Sequence, residues 1–132
     1  MKDIVMFEGE KLNLGFDEVI YHKNLNILKA KNSEENNRKI MSDIKVDMIY
    51  GFEEADKKDS LHHRSSGLNQ VILKLAHQNK IAICFNFNLL LNCEDNFKRA
   101  IFIGRMKQNV KFCRKYKVKM IVASFARNKY EM

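Results

Sequence analysis

Three short apolar runs, VDMIYGF (46–52), IAICFNF (81–87) and KMIVASF (119–125), constrain the fold more than anything else in the chain. Their nearly unbroken apolar character suits strands covered on both faces, as in a parallel sheet flanked by helices. Between the first two runs, Leu68, Val71, Ile72, Leu75 and Ala76 recur at helical spacing, and Ser66 precedes them as a capping residue. Between the second and third, residues 94–116 are helical in period. That spacing predicts Phe102, Met106, Val110 and Cys113 on one face and Lys107, Lys111, Arg114 and Lys115 on the other. Gly104 is expected to kink this helix, since glycine costs about 1 kcal/mol relative to alanine in a helix interior. Strand, helix, strand, helix, strand predicts parallel βα units with right-handed crossovers.

The N-terminal third is written less clearly. Residues 2–7, 17–21 and 26–29 read as short strands, and 11–16 as a turn. Ser33 is placed to cap a helix running to about residue 43, with Glu34 and Glu35 opposing its dipole and Ile40, Met41 and Ile44 as its apolar edge. Residues 53–63 form the one long polar loop. A closed eight-stranded barrel takes about 250 residues, and this chain has 132 with six candidate strands. The expected fold is therefore α/β, a partial barrel or an open layer of parallel βα units. With no proline, few glycines and no repeats, residues 1–132 read as one domain.

At 45% hydrophobic and 30% charged residues, the chain is too apolar for a disordered tail. It has no apolar stretch long enough for a signal h-region or a membrane span, so the expected location is the cytoplasm, with no membrane partner. Cys84, Cys93 and Cys113 lack zinc-site spacing and read as small, reduced hydrophobes. Neither a GxSxG elbow nor a glycine-rich phosphate loop is present.

Charge is distributed unevenly. Residues 1–95 carry 13 Lys/Arg against 15 Asp/Glu, and residues 96–132 carry 11 against one, so a net of −2 is followed by a net of +10. A one-sided basic block of this size releases several counterions from a phosphate backbone, which points to nucleic acid. The bland alternative is a solvated face that keeps the protein soluble.

The runs RSSGLNQVILKLAHQNKIAICFNF (64–87) and GRMKQNVKFCRKYKVKMIVASFA (104–126), with a weaker VDMIYGFE (46–53), closely resemble archaeal ribonuclease P protein component 3. The resemblance implies a TIM-barrel-like fold of the polymerase and histidinol phosphatase type, here a partial one. It implies an RNA-binding subunit that assists a catalytic RNA in removing the 5′ leader of precursor tRNA. The chain itself would have no autonomous active site and no cofactor, the magnesium being held with the catalytic RNA. Implied partners are ribonuclease P RNA, precursor tRNA, ribonuclease P protein component 2 in a heterotetramer, and the other protein components.

Candidate contact residues follow from charge and position together with that resemblance. Arg64 sits in a strand-to-helix loop, where its guanidinium and the amides of Ser66 and Gly67 would make an anion site. Arg105, Lys107, Lys111, Arg114 and Lys115 lie on the long helix, with Lys117 and Lys119 at the turn after it, a set suited to tracking phosphates rather than reading bases. Arg127 and Lys129 follow the last strand, at the end expected to hold Arg64. The basic residues thus form two surfaces, one for RNA and the other for a protein partner, in an assignment the sequence leaves open. Phe85 and Phe87 read as core aromatics rather than stacking platforms. His62 and His63 invite a metal reading, but the related phosphatases use an HxH pair that is absent here, and His22 and His77 are distant. A degenerate metal phosphoesterase of the same superfamily, or an RNA-binding α/β module outside ribonuclease P, are the rival functions.

Overall fold

The computed structural model describes residues 2–5, 18–21 and 25–128. The turn expected at 11–16, His22 and Lys129 lie outside the described residues.

Among the described residues, six strands and four α-helices follow in the order β1 (Lys2–Val5), β2 (Glu18–Tyr21), β3 (Ile27–Lys29), α1 (Glu34–Met41), β4 (Met48–Tyr50), α2 (Gln70–Gln78), β5 (Ala82–Asn86), α3 (Asn88–Leu91), α4 (Asn96–Lys115) and β6 (Met120–Ala123). Every pairing is parallel: β1 with β2, and β3–β4–β5–β6 as a four-stranded sheet. The two pieces meet where β1 reaches the end of β6. There the Phe125 amide donates to the Ile4 carbonyl at 3.0 Å. The buried Asp3 carboxylate accepts from the Ser124 amide at 2.8 Å and from its hydroxyl at 2.5 Å.

Strand alternation divides the core in two. Inward side chains from all six strands share one cluster, with Ile4, Ile27, Met48, Ala82, Cys84 and Ala123 at its centre and Ile20 packed against it. This is the inside of an incomplete barrel, and the small side chains of Ala82, Cys84 and Ala123 suit its narrow bore. The alternate residues, Ile49, Ile83 and Phe85, face outward and pack with Met41, Phe52, Ile72, Leu73 and Ala76 in the layer beneath the helices. Each large aliphatic side chain buried there contributes about 1.5–3 kcal/mol. The α/β partial-barrel expectation therefore holds.

Several local expectations are corrected. Ser66 does not cap α2; Asn69 does, its side-chain oxygen accepting from the Ile72 amide at 3.0 Å. Ser66 is instead buried and donates to Asn109 Oδ1 at 2.6 Å. The face that α2 buries also differs, for Leu73 enters the core and Val71 turns outward. Ser33 does cap α1, but Ile44 lies beyond that helix and is exposed. Phe85 is buried as expected, whereas Phe87 is half exposed. The loop after β4 begins with a buried 3-10 turn, Phe52–Glu54, entered through Gly51 at φ +87°, a backbone state that favours glycine.

Helix α4 departs most from its expected face. Asp95 caps it through the Phe97 amide at 2.8 Å, and it runs unbroken through Gly104. Met106 and Val110 pack on the outer core as expected. Its fully buried stripe, however, is Arg105, Asn109 and Cys113, spaced i, i+4 and i+8.

Candidate nucleic-acid interface

A buried arginine organises the site. Arg105 Nε donates to Asp59 Oδ1 at 2.9 Å, and Nη1 donates to the carbonyls of Glu53 and Ala55, each at 2.8 Å. Nη2 reaches the Lys57 carbonyl as well. Four bonds from one guanidinium thus gather the polar loop 53–59 onto the inner face of α4, which satisfies a charge that would otherwise be costly to bury. One turn along, Asn109 Nδ2 donates to Glu53 Oε1 at 2.9 Å, while Glu53 Oε2 is buried without a partner among the described residues. Burial pushes the Glu53 carboxyl above its ordinary value, against the opposing hydrogen bond from Asn109. The expectation that Arg105 meets phosphate is corrected: its side chain is only 6% exposed and fully engaged.

Asp59 passes the order outward. Its Oδ1 also accepts from the Ser65 amide at 2.8 Å, and its Oδ2 faces Arg64 Nη1 at 3.2 Å. Burial raises the Asp59 carboxyl, but the Ser65 amide, Arg105 and Arg64 outweigh it and hold it below the ordinary carboxylate value. The Arg64 backbone is clamped on both sides by one amide: its N–H donates to Gln108 Oε1 at 3.0 Å, and its carbonyl accepts from Gln108 Nε2 at 2.7 Å. Its guanidinium lies directly on Gly104, where a Cβ would come within 2.3 Å of Arg64 Cζ. The glycine expected to kink α4 is a seat for Arg64.

Arg64, Lys107, Lys111, Gln108, His62 and His63 line an open groove of about 510 Å³ between the loop and α4. His63 lies over Phe112 with ring centroids 6.3 Å apart, and Ser60 ties the tight turn by donating to the His63 carbonyl at 2.8 Å. Lys107 and Lys111 are exposed, one turn apart, on the wall opposite the loop. An arginine held in place beside two long, flexible lysine side chains presents fixed and adaptable donors together, an arrangement suited to phosphates.

The remaining basic residues fall elsewhere. Arg114, Lys115, Lys117 and Lys119 are exposed further along α4 and its following turn, continuing the Lys107–Lys111 row. Lys117 adopts φ +56° where the helix ends, and Lys115 Nζ sits 5.7 Å from the Tyr116 ring centre. Arg127 lies in a different cavity at the C-terminal ends of the strands, away from the groove that holds Arg64. The anion site expected at Ser66 and Gly67 is corrected: the Ser66 amide donates to the Arg64 carbonyl at 3.0 Å, and α2 starts three residues later. Sequence reasoning misses Asp59, Gln108 and Gly104, because nothing in an isolated sequence marks them as supports for Arg64.

Among the described residues, no group of three or more His, Cys, Asp or Glu side chains is placed to hold a metal ion, and no helix is long and apolar enough to cross a membrane. The thiols of Cys84 and Cys113 are buried and pushed up to about 12, chiefly by burial.

No family profile matches the chain. Individual proteins do, and they share one name, ribonuclease P protein component 3. The Methanocaldococcus jannaschii protein is 33% identical over 72 residues, covering 54% of this chain and 31% of its own length. That of Methanosarcina mazei is 31% identical over 106 residues, covering 71% and 44%. The Archaeoglobus fulgidus protein is 29% identical over an alignment that takes in the whole of this chain and 74% of the relative. The chain thus spans about a third to under a half of the first two relatives. In shape it matches a chain of an archaeal ribonuclease P solved by cryo-EM with mature tRNA, with a TM-score of 0.66 over 99% of this chain and 67% of that one; at 18% identity this likeness is one of fold. The relatives bear out the resemblance read from the sequence.

Proposed function

We propose that this chain, a relative of archaeal ribonuclease P protein component 3, serves as a noncatalytic RNA-binding subunit of ribonuclease P. It assists the catalytic RNA in removing the 5′ leader of precursor tRNA. The observation that carries this reading is the seating of Arg64. Asp59, Gln108 and Gly104 fix it beside Lys107 and Lys111, and Arg64 and the α4 wall of that groove belong to the two sequence runs that carry the family resemblance. A preset guanidinium loses little freedom on meeting a phosphate, and the lysines add counterion release.

In this role the protein neutralises and positions RNA, and the RNA with its magnesium performs the hydrolysis. No residue of this chain is assigned to the metal or to the scissile bond. The Lys107–Lys119 row and the mouth near Arg127 give it two basic surfaces, which fits one RNA contact and one contact to ribonuclease P protein component 2, in a heterotetramer alongside the other protein components. The cytoplasm is the matching location.

Reconstitution tests the proposal. Ribonuclease P RNA and the remaining protein components are assembled with and without the chain, and precursor-tRNA cleavage is followed. Slower cleavage or failed assembly on omission is expected. Identical rates would refute the assignment and leave an RNA-binding module of this fold.

A further inference from the structure

The groove that holds Arg64 has an apolar side that phosphate contacts alone leave unused. Residues 60–63 form a tight turn at its rim. The Ser60 amide and hydroxyl both donate to the His63 carbonyl at 2.8 Å, and the His63 amide donates to Ser60 Oγ at 3.1 Å. Ser65 holds the flanking chain, its hydroxyl donating to the Lys58 carbonyl and its amide to Asp59 Oδ1, each at 2.8 Å. A turn closed by its own hydrogen bonds presents its side chains in a preset arrangement, so little freedom is lost when they meet a ligand.

Leu61 stands on this turn 91% exposed, more than any other large apolar side chain among the described residues. A lone exposed leucine is ordinary, but this one is joined by the exposed His63, whose ring rests on half-buried Phe112 with planes 25° from parallel. Leu61 and His63 line the same groove of about 510 Å³ and give it an apolar and aromatic shelf. Charge marks the other wall. Asp59 is the one acidic residue of the lining, and it is engaged by Arg105, Arg64 and the Ser65 amide. Lys107 and Lys111 are exposed and pair with no group among the described residues. A shelf facing free cations matches a ligand that has a flat, weakly polar face and an anionic link, which is the chemistry of a nucleotide.

We propose that the groove holds one unstacked nucleotide of a single-stranded RNA segment, with its base against Leu61 and His63 and its flanking phosphates on Arg64, Lys107 and Lys111. This deepens the RNA-binding reading above and rests on it. A base inside a duplex has both faces covered by its neighbours and cannot offer one to the shelf, whereas a loop, bulge or strand end can splay one out. Stacking on a ring accepts any base, because every base has a π-face. The site therefore selects strandedness and not sequence.

Filter binding of the full chain tests this with a single-stranded oligoribonucleotide of about twelve residues, an abasic strand of the same length, and the first strand annealed to its complement as a blunt duplex. The single strand is expected to bind at least about tenfold tighter than either of the others. Leu61→Ser together with His63→Ser should remove most of that advantage and leave the salt dependence unchanged, unlike loss of the lysines. The chain should stay folded, since both side chains are exposed and the turn is tied through Ser60 and the backbone. The abasic comparison uses the unaltered chain and does not depend on the variant. Equal affinity for the abasic strand, duplex binding as tight as the single strand, or an unchanged preference in the double variant overturns the proposal. A double variant that keeps its RNA preference but no longer assembles with the other protein components would make the turn a protein contact, and overturns it too. Binding of none of the probes defeats the RNA-binding reading itself, whereas binding that ignores the bases defeats this inference alone.

Discussion

Arg64 rests on Gly104 so closely that a methyl group on the glycine would stand 2.3 Å from Cζ of the arginine. The two residues are forty positions apart, and the helix residue has given up its side chain to let the loop residue lie flat.

Replacing Gly104 with alanine separates stability from function. Alanine favours the helix by about 1 kcal/mol, and the atoms it meets are the far end of a half-exposed side chain that can swing away. The variant should fold with unchanged or raised thermal stability and bind RNA more weakly, as Arg64 leaves its seat. Equal RNA affinity in Gly104→Ala and the parent protein, measured by filter binding, would show that the seating has no functional role.

The basic row gives a salt prediction. Replacing Lys107, Lys111, Arg114 and Lys115 together with alanine should flatten the dependence of RNA affinity on salt, by about 0.7 in slope for each single-strand phosphate that the protein no longer neutralises. Circular dichroism should still report a folded chain, since all four side chains are exposed. An unchanged slope would identify the row as ordinary solvated surface.

Arg105 should behave in the opposite way. Its removal takes the buried guanidinium away from Asp59, which keeps only the Ser65 amide and Arg64, and from the carbonyls of Glu53, Ala55 and Lys57. A loss of about 3–5 kcal/mol in denaturant unfolding is expected for Arg105→Ala, as for other broken buried ion pairs. Lys111→Ala should stay within about 0.5 kcal/mol of the parent. Similar small losses for both would contradict the structural role of Arg105.

Glu53 sets a pH dependence. Its folded carboxyl titrates above the ordinary 4.5 because it is buried, so between those values the folded chain holds a proton that the unfolded chain has released. Stability therefore falls as pH rises from 4.5 through the raised value. Asp59 works on the other limb: its lowered value makes its contribution fade as pH drops below 3.8. Glu53→Gln keeps an acceptor for Asn109 without the charge and should level the upper limb. Unfolding midpoints taken between about pH 4 and about pH 8 decide the matter, and a parallel decline in both proteins would exclude Glu53 as its source.

The sheet is legible in the sequence because strands covered on both faces must be apolar almost throughout, and Ile81 to Phe85 are buried in an unbroken row. The groove is half legible. Exposed lysines announce themselves by spacing, and Lys107 and Lys111 lie where that spacing puts them. Arg105 does not, since composition gives a buried arginine and a surface one the same letter. Its partners, Asp59 and the carbonyls of residues 53–57, are about fifty positions upstream, beyond the reach of any local pattern. The same blindness moves the start of α2: Ser66 and Asn69 are both good capping residues, and only the distant Asn109 decides that Ser66 is otherwise engaged.

That long-range dependence sets an order of assembly. The four hydrogen bonds of Arg105 span 46 to 52 residues, and the Gln108 clamp on Arg64 spans 44. Bonds this far apart in sequence form only after the closure entropy of the intervening chain has been met. While α4 is still undocked, the loop at 55–65 is without its principal anchors, even where β3, β4 and β5 have already paired. The groove thus matures only once α4 has docked, and its presence reports that the helix is in place.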